Sequence, residues 1–149
     1  MRILRSLYCD DIRQEMGGKV SLMGIYTGVM YLPEMPALLP RICIHSSLSV
    51  PIDDAIEQLI FELVIDGNVV LTIPGKLPPE STAPIDLLAS PVARTVTIGA
   101  ILSPFPVEKP CLLETRVRIG DDIVQGSRLH VLKAKSEDYT PQPSTLTGQ

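Results

Sequence analysis

The chain has 149 residues, 45% hydrophobic, 20% charged and 4% aromatic, a size and balance that suit one compact domain around one core. With 13 Lys and Arg against 17 Asp and Glu the net charge is -4, which argues against a nucleic-acid partner held by its phosphates. The 14 prolines and 10 glycines punctuate a hydrophobic set made largely of Val, Ile and Leu, so an all-β domain is expected.

In chain order, residues 2–15 read as a strand interrupted by Asp10 and Asp11, and Met16-Gly17-Gly18-Lys19 supplies the positive-φ positions of a tight reversal. In the returning arm Val20 and Leu22 alternate with Ser21, and Gly24 marks a bulge or a close backbone approach. Pro33, Pro36 and Pro40 make residues 32–40 extended and keep them out of a central sheet position. Ile42, Ile44, Leu48 and Val50 then share one parity, and Cys43, His45, Ser47 and Ser49 the other, which is the pattern of a half-buried strand. The apolar runs 59–65 and 69–73 join through Asp66-Gly67-Asn68, a hairpin turn. Residues 74–91 are rich in proline and read as a long surface crossover with room for one short turn near Ile85.

Residues 95–102 alternate again, and Pro104, Pro106 and Pro110 close that strand off. Leu113, Thr115, Val117 and Ile119 next oppose Glu114, Arg116 and Arg118, and Gly120-Asp121-Asp122 turns the chain. Val124 continues the inward set while Leu129 and Val131 fall on the opposite parity, so a one-residue bulge is expected near Gly126-Ser127. The expected fold is an antiparallel β-sandwich of the immunoglobulin-like kind, with about seven or eight strands over residues 1–135. A small closed barrel is the alternative. Residues 136–149 have too little apolar content to order themselves and read as a flexible C-terminal tail.

The cysteines, Cys9, Cys43 and Cys111, are odd in number and lack zinc-ligand spacing, so they read as reduced, mostly buried thiols in a cytoplasmic protein. The first ten residues lack the apolar core of a signal peptide, and no apolar run is long enough to span a membrane. Neither a metal nor a cofactor is expected.

Gly17-Gly18-Lys19 is a turn, because the phosphate-loop pattern around it is missing. Cys43 and His45, roughly 6.5 to 7 Å apart along one strand face, are the nucleophile and base of an alternative reading as an enzyme or small-ligand binder. That reading would also use the acidic doublets Asp10-Asp11, Asp53-Asp54 and Asp121-Asp122, which supply the oxygen ligands calcium takes but lack its usual spacing and read as solvated turn residues. Arg116 and Arg118 share the outward face of one strand, and Arg128 and His130 share a face of the strand expected to pair with it. These four residues form a modest basic stripe and are the candidate partner-binding face.

The run Tyr8-Cys-Asp-Asp-Ile-Arg-Gln-Glu-Met-Gly-Gly-Lys-Val-Ser-Leu-Met-Gly-Ile-Tyr26 resembles a domain family of unknown function scattered through bacterial and prophage genomes. The similarity continues in the hairpins at Asp66-Gly67 and Gly120-Asp121-Asp122. It implies a compact β-rich domain with a phage association and carries over no catalytic residue, cofactor or activity. Asp10, Asp11, Arg13 and Glu15 are expected to pin the first hairpin by cross-strand ion pairing. The function expected is that of a non-enzymatic interaction or assembly module whose partner is a protein or a second copy of itself.

Overall fold

The computed structural model describes residues 1–77 and 93–135. Their strands are β1 (Ile3–Gln14), β2 (Val20–Tyr26), β3 (Val29–Leu32), β4 (Ala37–Leu39), β5 (Ile42–Pro51), β6 (Gln58–Ile65), β7 (Asn68–Lys76), β8 (Ala93–Leu102), β9 (Phe105–Val107), β10 (Cys111–Ile119) and β11 (Asp122–Lys133). A four-stranded sheet runs β2-β1-β5-β8, a five-stranded sheet runs β3-β11-β10-β6-β7, and β4 and β9 form a small ribbon. Both large sheets are open, which decides for a sandwich over a closed barrel.

The core lies between the sheets and follows the period-two alternation of each strand. Leu4, Ile42, Ile44, Leu48 and Val50 from the first sheet meet Phe61, Leu63, Leu113, Val117, Leu129 and Val131 from the second. The hairpin turns fall where glycine or aspartate admits a positive φ. Gly17 and Gly18 turn β1 into β2, Asp66 and Gly67 turn β6 into β7, and Gly120 turns β10 into β11. At Gly24 a Cβ would lie 2.1 Å from the Asp10 carboxylate at φ +66°, so what comes close to that glycine is a side chain, and β1 and β2 pair on both sides of it without a bulge.

The expected bulge is present. Glu114 pairs with Arg128 and Arg116 with Gln125, so Gly126 and Ser127 together face Thr115, and Val124 and Leu129 both turn inward. The bulge also serves a polar seam between the sheets. The Ser6 hydroxyl lies 2.7 Å from those of both Ser46 and Thr115, the Ser6 amide donates to Ser127 Oγ at 3.1 Å, and Tyr8 donates to the Ser127 carbonyl at 2.8 Å. Ser6, Ser46 and Thr115 are buried, and each hydroxyl has a partner, as burial of polar groups requires.

Three expectations are corrected. Eleven strands occur among the described residues, more than the expected seven or eight, because short strands form at 29–32, 37–39 and 105–107. One of these, β3, pairs parallel with β11 from Val29↔His130 to Leu32↔Lys133, so the pairing is not wholly antiparallel. Residues 74–76 are part of β7 rather than of a crossover. Proline is tolerated there because β7 is an edge strand whose outer side needs no donor. The expected short turn near Ile85 and the tail over 136–149 lie outside the described residues.

Candidate interaction surfaces

The basic stripe lies on the outer face of the five-stranded sheet. β10 turns Leu113, Thr115, Val117 and Ile119 into the core, which leaves Glu114, Arg116 and Arg118 pointing out. Arg128 lies opposite Glu114 and His130 opposite Leu112, so all four stripe residues share this face. The three arginines are already engaged. Arg116 Nε lies 2.6 Å and Arg118 Nη2 3.1 Å from the carboxylate of Glu62, whose side chain is 5% exposed, and Arg128 Nε lies 3.2 Å from Glu114. Three arginines against two carboxylates leave a small positive excess on this face. Glu62 was not singled out from sequence; the signal was a lone acid inside the apolar run of β6, opposite Arg116 in register.

The outer face of the four-stranded sheet is apolar across its middle. Ile25, Cys9, Cys43 and Ile101 stand side by side in one register row that crosses all four strands. The next row holds Leu7, His45 and Gly99, and Met23 sits beside Asp11. Leu7 is 44% exposed, Ile25 47%, Met23 50% and Ile101 58%. Cys9 and Cys43 are buried beneath these neighbours, outside the cluster of core residues between the sheets.

Cys43 and His45 share this outer face, as the alternation required. Burial pushes the Cys43 thiol up from its ordinary value, with the Asp11 charge adding to the rise, opposite to the direction that activates a nucleophile. Cys43 Sγ lies 3.6 Å from the Asp10 carbonyl. The three cysteines are free thiols, two buried and Cys111 intermediate.

The acidic doublets bind cations of the chain itself. Arg2 grips Asp54 through Nε and Nη2 at 2.7 and 2.9 Å and reaches Asp122 at 3.0 Å, so a doublet from the β5–β6 connection and one from the β10–β11 turn meet at one guanidinium. The side-chain hydrogen bond from Arg2 holds the Asp54 carboxyl below its ordinary value. In the third doublet Asp10 accepts from the Tyr26 hydroxyl, while Asp11 accepts from Arg41 at 3.1 Å and caps the Ile12 amide at 3.0 Å. Among the described residues no three His, Cys, Asp or Glu side chains gather as metal ligands. The first hairpin is pinned by hydrogen bonds, from Tyr26 to Asp10 and from Ser21 to Glu15 at 3.1 Å, instead of by the expected cross-strand ion pairs. Asp11 makes its ion pair outside the hairpin, with Arg41.

No helix among the described residues is long and apolar enough to cross a membrane. No curated protein matches the chain. A family model described as a family of unknown function, DUF6941, matches residues 4–132, from the first core residue of β1 almost to the end of β11, and the chain belongs to that family.

Proposed function

We propose that this member of a family of unknown function is an interaction module, which docks a protein partner on the outer face of its four-stranded sheet. The observation that carries this reading is the exposed apolar band of Leu7, Met23, Ile25 and Ile101, which a protein without a use for it would cover or replace with polar residues. The setting in which it works is a reducing, cytoplasmic one, in keeping with three unpaired thiols, and the sequence resemblance adds a phage association to the proposal. The basic stripe of Arg116, Arg118, Arg128 and His130 has less charge to offer, since Glu62 and Glu114 take up most of it.

The test uses the full chain and the partner that it retains from its own host. Ile25→Arg and Leu7→Arg, each checked for an unchanged melting temperature, are expected to abolish retention, while Arg118→Glu on the opposite sheet leaves it intact. Loss through Arg118→Glu alone would move docking to the basic stripe and overturn the reading. Retention by all three variants would overturn it as well.

A further inference from the structure

The two open sheets have four edges, and three of them carry a feature that blocks an added strand. β2 turns through Gly24 at positive φ, β3 has four residues between Gly28 at positive φ and Pro33, and β7 contains Pro74 and ends on Lys76. β8 has none of these. It pairs with β5 without a shift over ten residues, from Ala93↔Pro51 to Leu102↔Ile42, and its other side is joined to no strand among the described residues. Alternate backbone N–H and C=O groups therefore point outward along that side. The charged residue of β8, Arg94, has core-facing parity and donates to the Asp54 carbonyl. Thr95, Thr97 and Ile101 stand exposed on the open face, and Val96 and Ile98 are half-buried at the rim of the core.

We propose that β8 pairs antiparallel with β8 of a second copy, about a twofold axis at Thr97, so that two four-stranded sheets become one sheet of eight. The order of side chains in β8 fits its own reverse. With Thr97 opposite Thr97, Val96 meets Ile98, Thr95 meets Gly99, Ala93 meets Ile101 and Arg94 meets Ala100, so no charge opposes a like charge. The Val96 and Ile98 pairs occur twice by symmetry and extend the rim of each core across the junction. A single strand pair is smaller than the roughly 800 Å² per partner of a stable interface, so the dimer is weak and concentration-dependent. This contact uses the edge of the sheet and not its open face, and it stands independently of the docking reading.

Sedimentation of the full chain from about 5 to 500 μM is expected to show a monomer that becomes a dimer with a micromolar dissociation constant. Thr97→Lys sets like charges against each other at the axis and is expected to weaken dimerisation at least about tenfold. Thr97→Cys, under mild oxidation by disulfide glutathione, is expected to give a covalent dimer bridged at that position, whereas Thr95→Cys, which faces Gly99, gives none. Three results overturn the proposal. The first is a monomer throughout the range, including one whose β8 amides are already slow to exchange hydrogen because another part of the same chain covers them. The second is a dimer indifferent to Thr97→Lys, and the third is a dimer lost through Ile25→Arg in its place.

Discussion

Glu62 on β6 and Arg116 on β10 are partners in register, and Glu62 Oε2 lies 2.6 Å from Arg116 Nε on a sheet face where the glutamate is almost wholly covered. A buried carboxylate left without its cation is costly, of the order of 3 kcal/mol or more. Arg116→Met removes the shorter of its two ion pairs and leaves Arg118 at 3.1 Å, so it is expected to destabilise the fold by less than that, about 2 kcal/mol in urea denaturation. Arg118→Ala, at a more exposed partner, should cost under about 1 kcal/mol. The double substitution Glu62→Met with Arg116→Met should recover most of the loss, because the buried charge leaves with its partner.

At Gly126 a Cβ would lie 2.2 Å from Thr115 Oγ1 and 2.9 Å from Leu4 Cδ2. Both are packed between the sheets, so Gly126→Ala is expected to cost about 2 kcal/mol through overpacking and loss of the Ser6–Thr115 contact. Gly18→Ala meets no atom within 4 Å and pays the price of its positive φ alone, so it should cost less. Thermal melts of the two variants give the comparison.

Asp54 makes one contribution to acid sensitivity. Its carboxyl is held below the ordinary aspartate value by the hydrogen bond from Arg2, so the unfolded chain binds its proton at higher pH than the folded one. The stabilisation is complete above about pH 4, the unfolded value, and is lost as pH falls through the lower folded value. Arg2→Met should flatten the decline of the urea midpoint below about pH 4 while leaving the slope near neutrality unchanged.

Thiol labelling separates the three cysteines. Burial, with the neighbouring Cys43 and Asp10 charges, pushes the Cys9 thiol up to about 11, and burial raises Cys43 and Cys111 as well. Cys111 is the one partly open to solvent, so iodoacetamide at about pH 8 should modify it first and reach Cys9 and Cys43 only in denaturant. Rapid labelling of native Cys43 would contradict this and restore a reactive role for it.

Local signals in the chain were legible where a single strand or turn decides the outcome. The parity of Ile42 through Val50, the Asp66-Gly67 turn and the switch between Val124 and Leu129 each depend on a few adjacent residues, and each matches the structure. Pairing across long separations was not legible. Nothing in Val29–Leu32 points to a parallel partner about a hundred residues later, and β4 and β9 are too short to show a period. Of the basic stripe, alternation revealed the face on which Arg116 and Arg118 stand. Its neutralisation depended on knowing that β6 lies beside β10, which sets Glu62 under them. Likewise the row Ile25, Cys9, Cys43 and Ile101 draws on four separate strands and exists only once the sheet order is known.

The hydroxyls of Ser6, Ser46 and Thr115 have a consequence for how the two sheets can sit. Apolar side chains of similar size would tolerate a slip of one sheet over the other by a residue pair, exchanging one Leu or Val contact for the next. Here such a slip would part Ser6 from Thr115, the Ser6 amide from Ser127 Oγ and the Tyr8 phenol from the Ser127 carbonyl, and each polar group left unpaired among hydrocarbon costs about 1 to 3 kcal/mol. The few oxygen atoms in the interior therefore act as an alignment key, rejecting every offset but one.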